Sequence, residues 1–215
     1  MYNLIMFGPP GAGKGTQAKI ISKRLGIPAI STGEMIRAAI KSETPMGVAA
    51  KVYTEAGNLV PDDVVIGIIK ERLTEDDCRK GFILDGFPRT IPQAEALAEM
   101  GVEITKVISF EVSDDAIVDR MSGRRLCSAC SASYHVKYAP PAVEGKCDTC
   151  GAELIIRKDD KAEVVQSRLV TYHRETEPLK AFYEKLGLLA IVNGEGEVEK
   201  VSESAFDALG VTLKQ

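Results

Sequence analysis

The chain has 215 residues, 27 Lys and Arg against 31 Asp and Glu, a formal net charge of −4, 45% hydrophobic residues and five cysteines. That length suits one large α/β domain with insertions and a real core, and the mild negative charge excludes a broad basic face for nucleic acid. No apolar run approaches the ~20 residues of a membrane helix, and no signal peptide is expected, so a reducing, cytoplasmic setting is the default and cysteines should serve as thiols or metal ligands.

Tyr2 to Phe7 is an apolar run that predicts a buried first strand. Gly8-Pro9-Pro10-Gly11-Ala12-Gly13-Lys14-Gly15-Thr16 follows, and Gln17 to Leu25 then carries Ala18, Ile21 and Leu25 at helical spacing. Strand, glycine-rich turn and helix form the context of a phosphate-binding loop, in which backbone N–H groups, the helix N-terminus and a mobile lysine converge on phosphate oxygens. An ordinary tight turn is the alternative. The hydroxyl comes one place late, because Gly15 stands where Ser or Thr is usual. This moves the expected magnesium contact toward Asp85, acting through water.

Ala29–Ile30 predicts a very short second strand. Ser31 to Val60 predicts two short helical segments split near Thr44-Pro45, and Pro61-Asp62-Asp63 opens a helix to about Leu73. Phe82 to Leu84 predicts a buried strand ending in Asp85, an acid placed either to hold magnesium beside the loop or to serve a turn or helix cap. Arg89 follows near the same strand end. Lys106–Phe110 predicts the next strand, and Ser113-Asp114-Asp115 opens a helix to about Ser122. Arg120 and Arg124 are four apart, so they share one helical face. Arg124 to Asp160 changes texture and reads as an inserted β-rich lobe, with Tyr134-His135-Val136-Lys137-Tyr138 as one strand. A helix is expected from near Lys161, through Val164, Val165, Arg168, Leu169 and Tyr172, to a bend or end at Pro178. Leu189–Val192 supplies the last strand. Alternation of this kind predicts a parallel sheet with helices on both faces.

Within the lobe, Cys127-x2-Cys130 and Cys147-x2-Cys150 form two knuckles. Together they offer a tetrahedral sulfur cage that suits structural Zn2+ or a similar metal, since no position is left open for water. Free thiols or disulfides are the alternative. His135 is near enough in sequence to be a substitute ligand, and Cys78 lies outside the spacing. A lobe this small buries little apolar surface, so a metal clip is a plausible source of its stability. Its few bases, Lys137 and Lys146 offset by Glu144, are too few for a nucleic-acid face.

These segments resemble the adenylate kinase family in its long form with a metal-bearing lid, over essentially the whole chain. The resemblance is carried by Gly8 to Thr16 with Gln17, Ser31-Thr32-Gly33-Glu34-Met35-Ile36-Arg37, Leu84-Asp85-Gly86-Phe87-Pro88-Arg89-Thr90 with Gln93, Gly123-Arg124-Arg125 and Arg157-Lys158-Asp159-Asp160. It implies the P-loop nucleotide-kinase fold: an α/β core (residues 1–30, 61–123 and 161–215), a helical AMP-binding insert (31–60) and a metal-binding lid (124–160). It further implies that Gly11, Ala12, Gly13, Lys14, Gly15 and Thr16 hold ATP phosphates, with Arg124, Ser133 and Tyr134 contacting ATP from the lid. Gly196 offers a backbone contact to its adenine. Thr32, Arg37, Asn58, Leu59, Val60, Gly86, Phe87, Pro88, Arg89 and Gln93 hold AMP, with Gln93 reading the adenine edge. Arg157 and Arg168 clamp phosphates between the nucleotides and Arg120 assists; a cis Phe87-Pro88 bond is implied.

The implied reaction converts ATP and AMP to two ADP, reversibly and with Mg2+, in a cytoplasmic monomer with no nucleic-acid or membrane partner. Lys14, Arg89, Arg124, Arg157, Arg168, Asp85 and Arg120 would be the catalytic set. Two rival readings stand beside it. One is a kinase for another nucleoside monophosphate. The other is a nucleotide-gated zinc-ribbon module without catalysis, which would leave Arg37 and the Arg89/Gln93 pair without a purpose.

Overall fold

The computed structural model describes residues 1–211; the last four positions of the expected core segment 161–215 lie outside them. The first apolar run is strand β1 (Tyr2–Phe7), and helix α1 (Lys14–Leu25) begins directly after Gly13 rather than at Gln17. Gly13 adopts φ 92° as its N-cap, so the chain turns straight into helix at Lys14. β2 (Ala29–Ser31) is followed by α2 (Thr32–Lys41), α3 (Pro45–Glu55) and α4 (Asp62–Arg72). The Ser31 hydroxyl caps α2 through the Glu34 N–H, and Thr44 caps α3 with Pro45 in its first turn, which is why the insert breaks where it does.

Then come β3 (Gly81–Asp85), α5 (Ile91–Glu99), β4 (Lys106–Glu111), α6 (Asp114–Gly123), three short strands β5 (Arg124–Cys127), β6 (Ser133–His135) and β7 (Leu154–Ile155), α7 (Ala162–Thr171), α8 (Leu179–Lys185), β8 (Leu189–Asn193) and α9 (Val198–Ala208).

Five strands form one sheet in the order β2-β3-β1-β4-β8, all parallel. After β1 the chain first builds one side of the sheet and then the other. The loop leaving β1 therefore lies at the point where strand order reverses, the crevice in which open α/β sheets bind ligands. Period-2 alternation divides the core. Ile5, Phe7, Leu84 and Phe87 pack on one face with the insert helices, α4, α5 and α8, while Leu4, Met6, Ile83 and Phe110 pack on the other with α1, α6, α7 and α9. Ile5, Leu84 and Ile83 are fully buried, each worth about 1.5–3 kcal/mol of transfer energy. β6-β5-β7 forms a separate antiparallel sheet.

Two expectations are corrected. The strand expected at Tyr134–Tyr138 stops at His135, because the His135 Nδ1 accepts from the Lys137 and Tyr138 N–H groups at 3.0 and 3.1 Å and turns the chain. The helix expected to meet Pro178 ends at Thr171. A π-turn (Tyr172–Thr176) follows, with Glu177 N–H reaching back to the Tyr172 carbonyl at 2.8 Å, and Pro178 then caps α8. Proline has no N–H for the helical ladder, so the widened turn absorbs its ring.

Candidate active site

The loop after β1 is shaped by close approach. Gly8 and Gly11 adopt φ 134° and 82°, and a Cβ at Gly11 would lie 2.8 Å from Met121 Sδ. Ala12 is buried and Thr16 exposed. Gly15 has its own reason to be glycine: a Cβ there would stand 3.3 Å from Asp85 Oδ2. The acid ending β3 thus lies against the loop where a hydroxyl residue is usual, and the hydroxyl of Thr16 stands one place later. Among the described residues, no ion pair or hydrogen bond takes the Asp85 carboxylate.

Lys14 Nζ donates to the carbonyls of Gly8 and Pro9 at 2.7 Å each. Burial lowers its pKa to about 8, with Asp85 opposing and Arg89, Arg168 and Arg124 reinforcing the shift. A bound polyphosphate adds negative charge and raises that value again. A little above the free value, binding is therefore expected to take up a proton at Lys14, measurable by calorimetry in buffers of different ionisation heat. Lys14→Arg keeps a cation that does not titrate. Equal uptake in that variant would remove Lys14 from the phosphate site.

Beyond Asp85 the backbone turns at Gly86 (φ 81°), whose carbonyl accepts from Thr32 Oγ1 at 2.8 Å and Arg89 Nε at 2.7 Å. The Phe87-Pro88 bond is cis. Arg89 is held on its backbone as well: its carbonyl accepts from Thr176 Oγ1 at 2.8 Å, and its N–H donates to Gln93 Oε1 at 2.8 Å. Gln93 Nε2 donates to Asp62 Oδ1 at 2.7 Å. Asn58, Leu59 and Val60 line a cleft of about 490 Å³ together with Tyr53, Asp62 and Thr90.

The charged side chains converge. Arg124 Nε donates to Asp160 Oδ2 at 2.7 Å, and a second guanidinium nitrogen contacts the other carboxylate oxygen, the bidentate fork that planar pairing favours. Arg168 Nη1 bonds Asp159 Oδ2 at 3.0 Å. Arg37 feels Asp159 and Asp85, and Arg157 feels Arg37 together with Asp159 and Asp160. Six cations (Lys14, Arg37, Arg89, Arg124, Arg157 and Arg168) thus share a region with three carboxylates, Asp85, Asp159 and Asp160. Burial, reinforced by neighbouring arginines, lowers Arg89 and Arg157 to about 10. Partly desolvated cations in excess of their carboxylate partners are costly, so the region favours an added anion.

Three residues lie elsewhere. Arg120 does not join the phosphate arginines: its Nη2 donates to the Gly194 carbonyl at 2.9 Å, beside the loop of Gly196. Ser133 is exposed in β6, and the neighbouring Tyr134 hydroxyl accepts from Asp148 N–H at 2.8 Å and lies 3.4 Å from Cys147 Sγ, so it supports the cysteine lobe. Sequence reading passed over Asp62, Asp159, Asp160 and Thr176 as site-building residues. Asp62 was visible only as an acid in a helix first turn.

The four lobe cysteines bring their sulfurs within 4.8 Å of one another. Cys127 and Cys150 sulfurs are 3.4 Å apart and those of Cys130 and Cys147 3.6 Å. A Zn2+ bound by four sulfurs at ~2.3 Å needs them ~3.8 Å apart, so the set fits such an ion. Backbone N–H groups of Ala129 and Cys130 point at Cys127 Sγ, each 3.4 Å away, and hold that thiol's pKa down. His135 is not in the cluster. Cys78 is buried far along the chain, beside Arg72.

The protein-family model described as "Adenylate kinase" matches residues 6–188. The chain is 53% identical over 214 residues to the adenylate kinase of Syntrophotalea carbinolica, covering 98% of this chain and 99% of that protein. It is 53% identical to that of Carboxydothermus hydrogenoformans over 210 residues (96% and 98% of the two chains), and 52% identical to that of Caldicellulosiruptor bescii over 212 residues (97% and 99%). With a P-loop at the switch point of a parallel sheet and a family match over most of its length, the chain belongs to the adenylate kinase family.

Proposed function

We propose that this enzyme transfers the γ-phosphoryl group of ATP to AMP, giving two ADP, reversibly and with magnesium. The observation that carries the reading is the gathering of six half-buried cations around a phosphate loop, more than one nucleotide's phosphates would need. The AMP phosphate is already largely dianionic at neutral pH, since such second pKa values lie near ~6, so it attacks the γ-phosphorus in line without a general base. Catalysis then consists of alignment and charge stabilisation. Lys14 and the backbone of Gly11 to Thr16 hold the donor phosphates. Arg37, Arg89 and Thr32 hold the acceptor phosphate, and Arg124, Arg157 and Arg168 spread the charge between them.

The free Asp85 carboxylate suits a water-coordinated Mg2+, which would neutralise charge on the donor phosphates. Segments 1–30, 61–123 and 161–215 act as the core, 31–60 as the acceptor insert and 124–160 as a lid stiffened by zinc. Closure of insert and lid over nucleotides excludes water as a competing acceptor. We place the enzyme in the cytoplasm as a monomer on the family resemblance alone; no helix among the described residues is long and apolar enough to cross a membrane.

The test is an acceptor panel of AMP, CMP, UMP and GMP with MgATP. AMP is expected to lead clearly. Preference for another monophosphate would replace the acceptor assignment, and no phosphoryl transfer to any of them would favour the binding-module reading.

A further inference from the structure

We infer that Asp62 is a positioning residue that sets the acceptor-base preference by fixing which way the Gln93 amide points. This rests on the proposed role of Gln93 in reading the adenine edge. Gln93 is 1% exposed, and both ends of its amide are engaged. Its Nε2 donates to Asp62 Oδ1 at 2.7 Å, and its Oε1 accepts from the Arg89 N–H at 2.8 Å. The orientation does not depend on telling nitrogen from oxygen. A carboxylate only accepts and a backbone N–H only donates, so the reverse amide would set oxygen against oxygen and N–H against N–H. Asp62 is itself held, because its Oδ2 accepts from Thr90 Oγ1 at 2.9 Å, and Thr90 Oγ1 also caps α5 through the Gln93 N–H. Asp62 and Thr90 line the cleft with Asn58, Leu59 and Val60, so the amide lies one hydrogen bond from the cleft wall.

An amide has two N–H donors and two acceptor lone pairs. With one of each committed, Gln93 keeps one N–H and one lone pair in a fixed arrangement. Adenine presents an N6–H donor beside the N1 acceptor. Hypoxanthine, the base of IMP, presents the reverse: an O6 acceptor beside an N1–H donor. In one base pose, a locked amide matches only one of these patterns, whereas an amide free to rotate by half a turn matches either. Asp62 and the Arg89 N–H thus lock the reader from both ends, and loss of the Asp62 acceptor leaves one backbone N–H alone to oppose the flipped amide.

The test compares kcat/KM for AMP and IMP in the full-length enzyme with MgATP. Asp62→Asn is nearly isosteric and can offer Gln93 either an N–H or a carbonyl. It is expected to lower the AMP-over-IMP preference about tenfold or more, the scale of one buried hydrogen-bond mismatch, mainly through KM. A purely structural role would lower both substrates together and leave the ratio alone. Asp62→Ser, which helix N-termini accept readily, should relax the ratio in the same direction if the asparagine variant folds poorly. An unchanged ratio in a folded variant overturns the inference. Gln93→Ala separates the two levels. If it raises the KM for AMP while Asp62→Asn keeps the ratio, only the role of Asp62 fails. If it leaves the KM for AMP unchanged, Gln93 does not read the base, and the inference falls with that reading.

Discussion

Arg89→Ala is expected to lose turnover on the order of 10²–10³-fold while keeping its fold and its melting temperature, or raising the latter slightly. The size follows from removing one preorganised charge from the place where negative charge develops. The sign of the stability effect follows from the surroundings: burial lowers the Arg89 pKa to about 10, and Arg168 and Arg37 push it the same way. Deleting a half-buried cation among cations removes repulsion. Its backbone bonds to Thr176 and Gln93 do not depend on the side chain. Thermal melting and steady-state kinetics on the same preparation check both halves. Near-normal turnover in a folded variant would contradict the role of Arg89, and a collapsed melting temperature would show that the guanidinium serves the fold.

Removal of the metal that the four cysteines would hold, by chelation or by Cys147→Ser, is expected to act the other way: a large loss of stability with a smaller loss of kcat at moderate temperature. The lobe's secondary structure is three short strands, and Val136, Tyr138, Val143, Ile155 and Ile156 stay exposed, so little apolar burial holds it together. The four sulfurs are gathered within 4.8 Å, a density of thiols that a bound cation explains. If the clip is worth about 4 kcal/mol, the melting temperature should fall by roughly 8–16 °C, at ~2–4 °C per kcal/mol for a chain this size. Scanning calorimetry with and without chelator, beside activity at a temperature below both transitions, gives the comparison. Activity abolished with melting unchanged would mean that the metal works in the chemistry rather than in holding the lobe.

Much of the scaffold was legible because it is written locally. The strand runs at Tyr2–Phe7, Phe82–Leu84 and Lys106–Phe110 each became strands of the parallel sheet, and the break at Thr44-Pro45 fell where a hydroxyl cap and a proline coincide. The cysteine knuckles carry their spacing in the sequence, and the structure brings all four sulfurs together. What local patterns cannot carry is contact between distant segments. Nothing near Gly15 announces that Asp85, seventy positions on, would lie against it.

The same holds for the carboxylates that balance the arginines. Asp160 is buried because it faces Arg124 across the base of the lobe, and neither residue's neighbours predict that pairing. Arg120 looked like a partner of Arg124 by helical spacing, yet it reaches the Gly194 carbonyl, since α6 ends at Gly123 and Arg124 already belongs to β5. The Asp62–Gln93–Arg89 chain of hydrogen bonds links two helix N-termini that alternation places next to each other only once the sheet order is known. The π-turn before Pro178 departs from a periodic pattern for a steric reason that proline signals but does not locate.

The most direct measurement follows the nucleotides themselves. Phosphorus NMR on the enzyme with MgATP should show ADP forming only when AMP is added, two ADP for each ATP consumed, with no inorganic phosphate released and with ATP and AMP regenerated from ADP alone. ADP and free phosphate appearing from ATP without AMP would contradict the account, because the cluster of cations would then serve hydrolysis rather than an acceptor nucleotide.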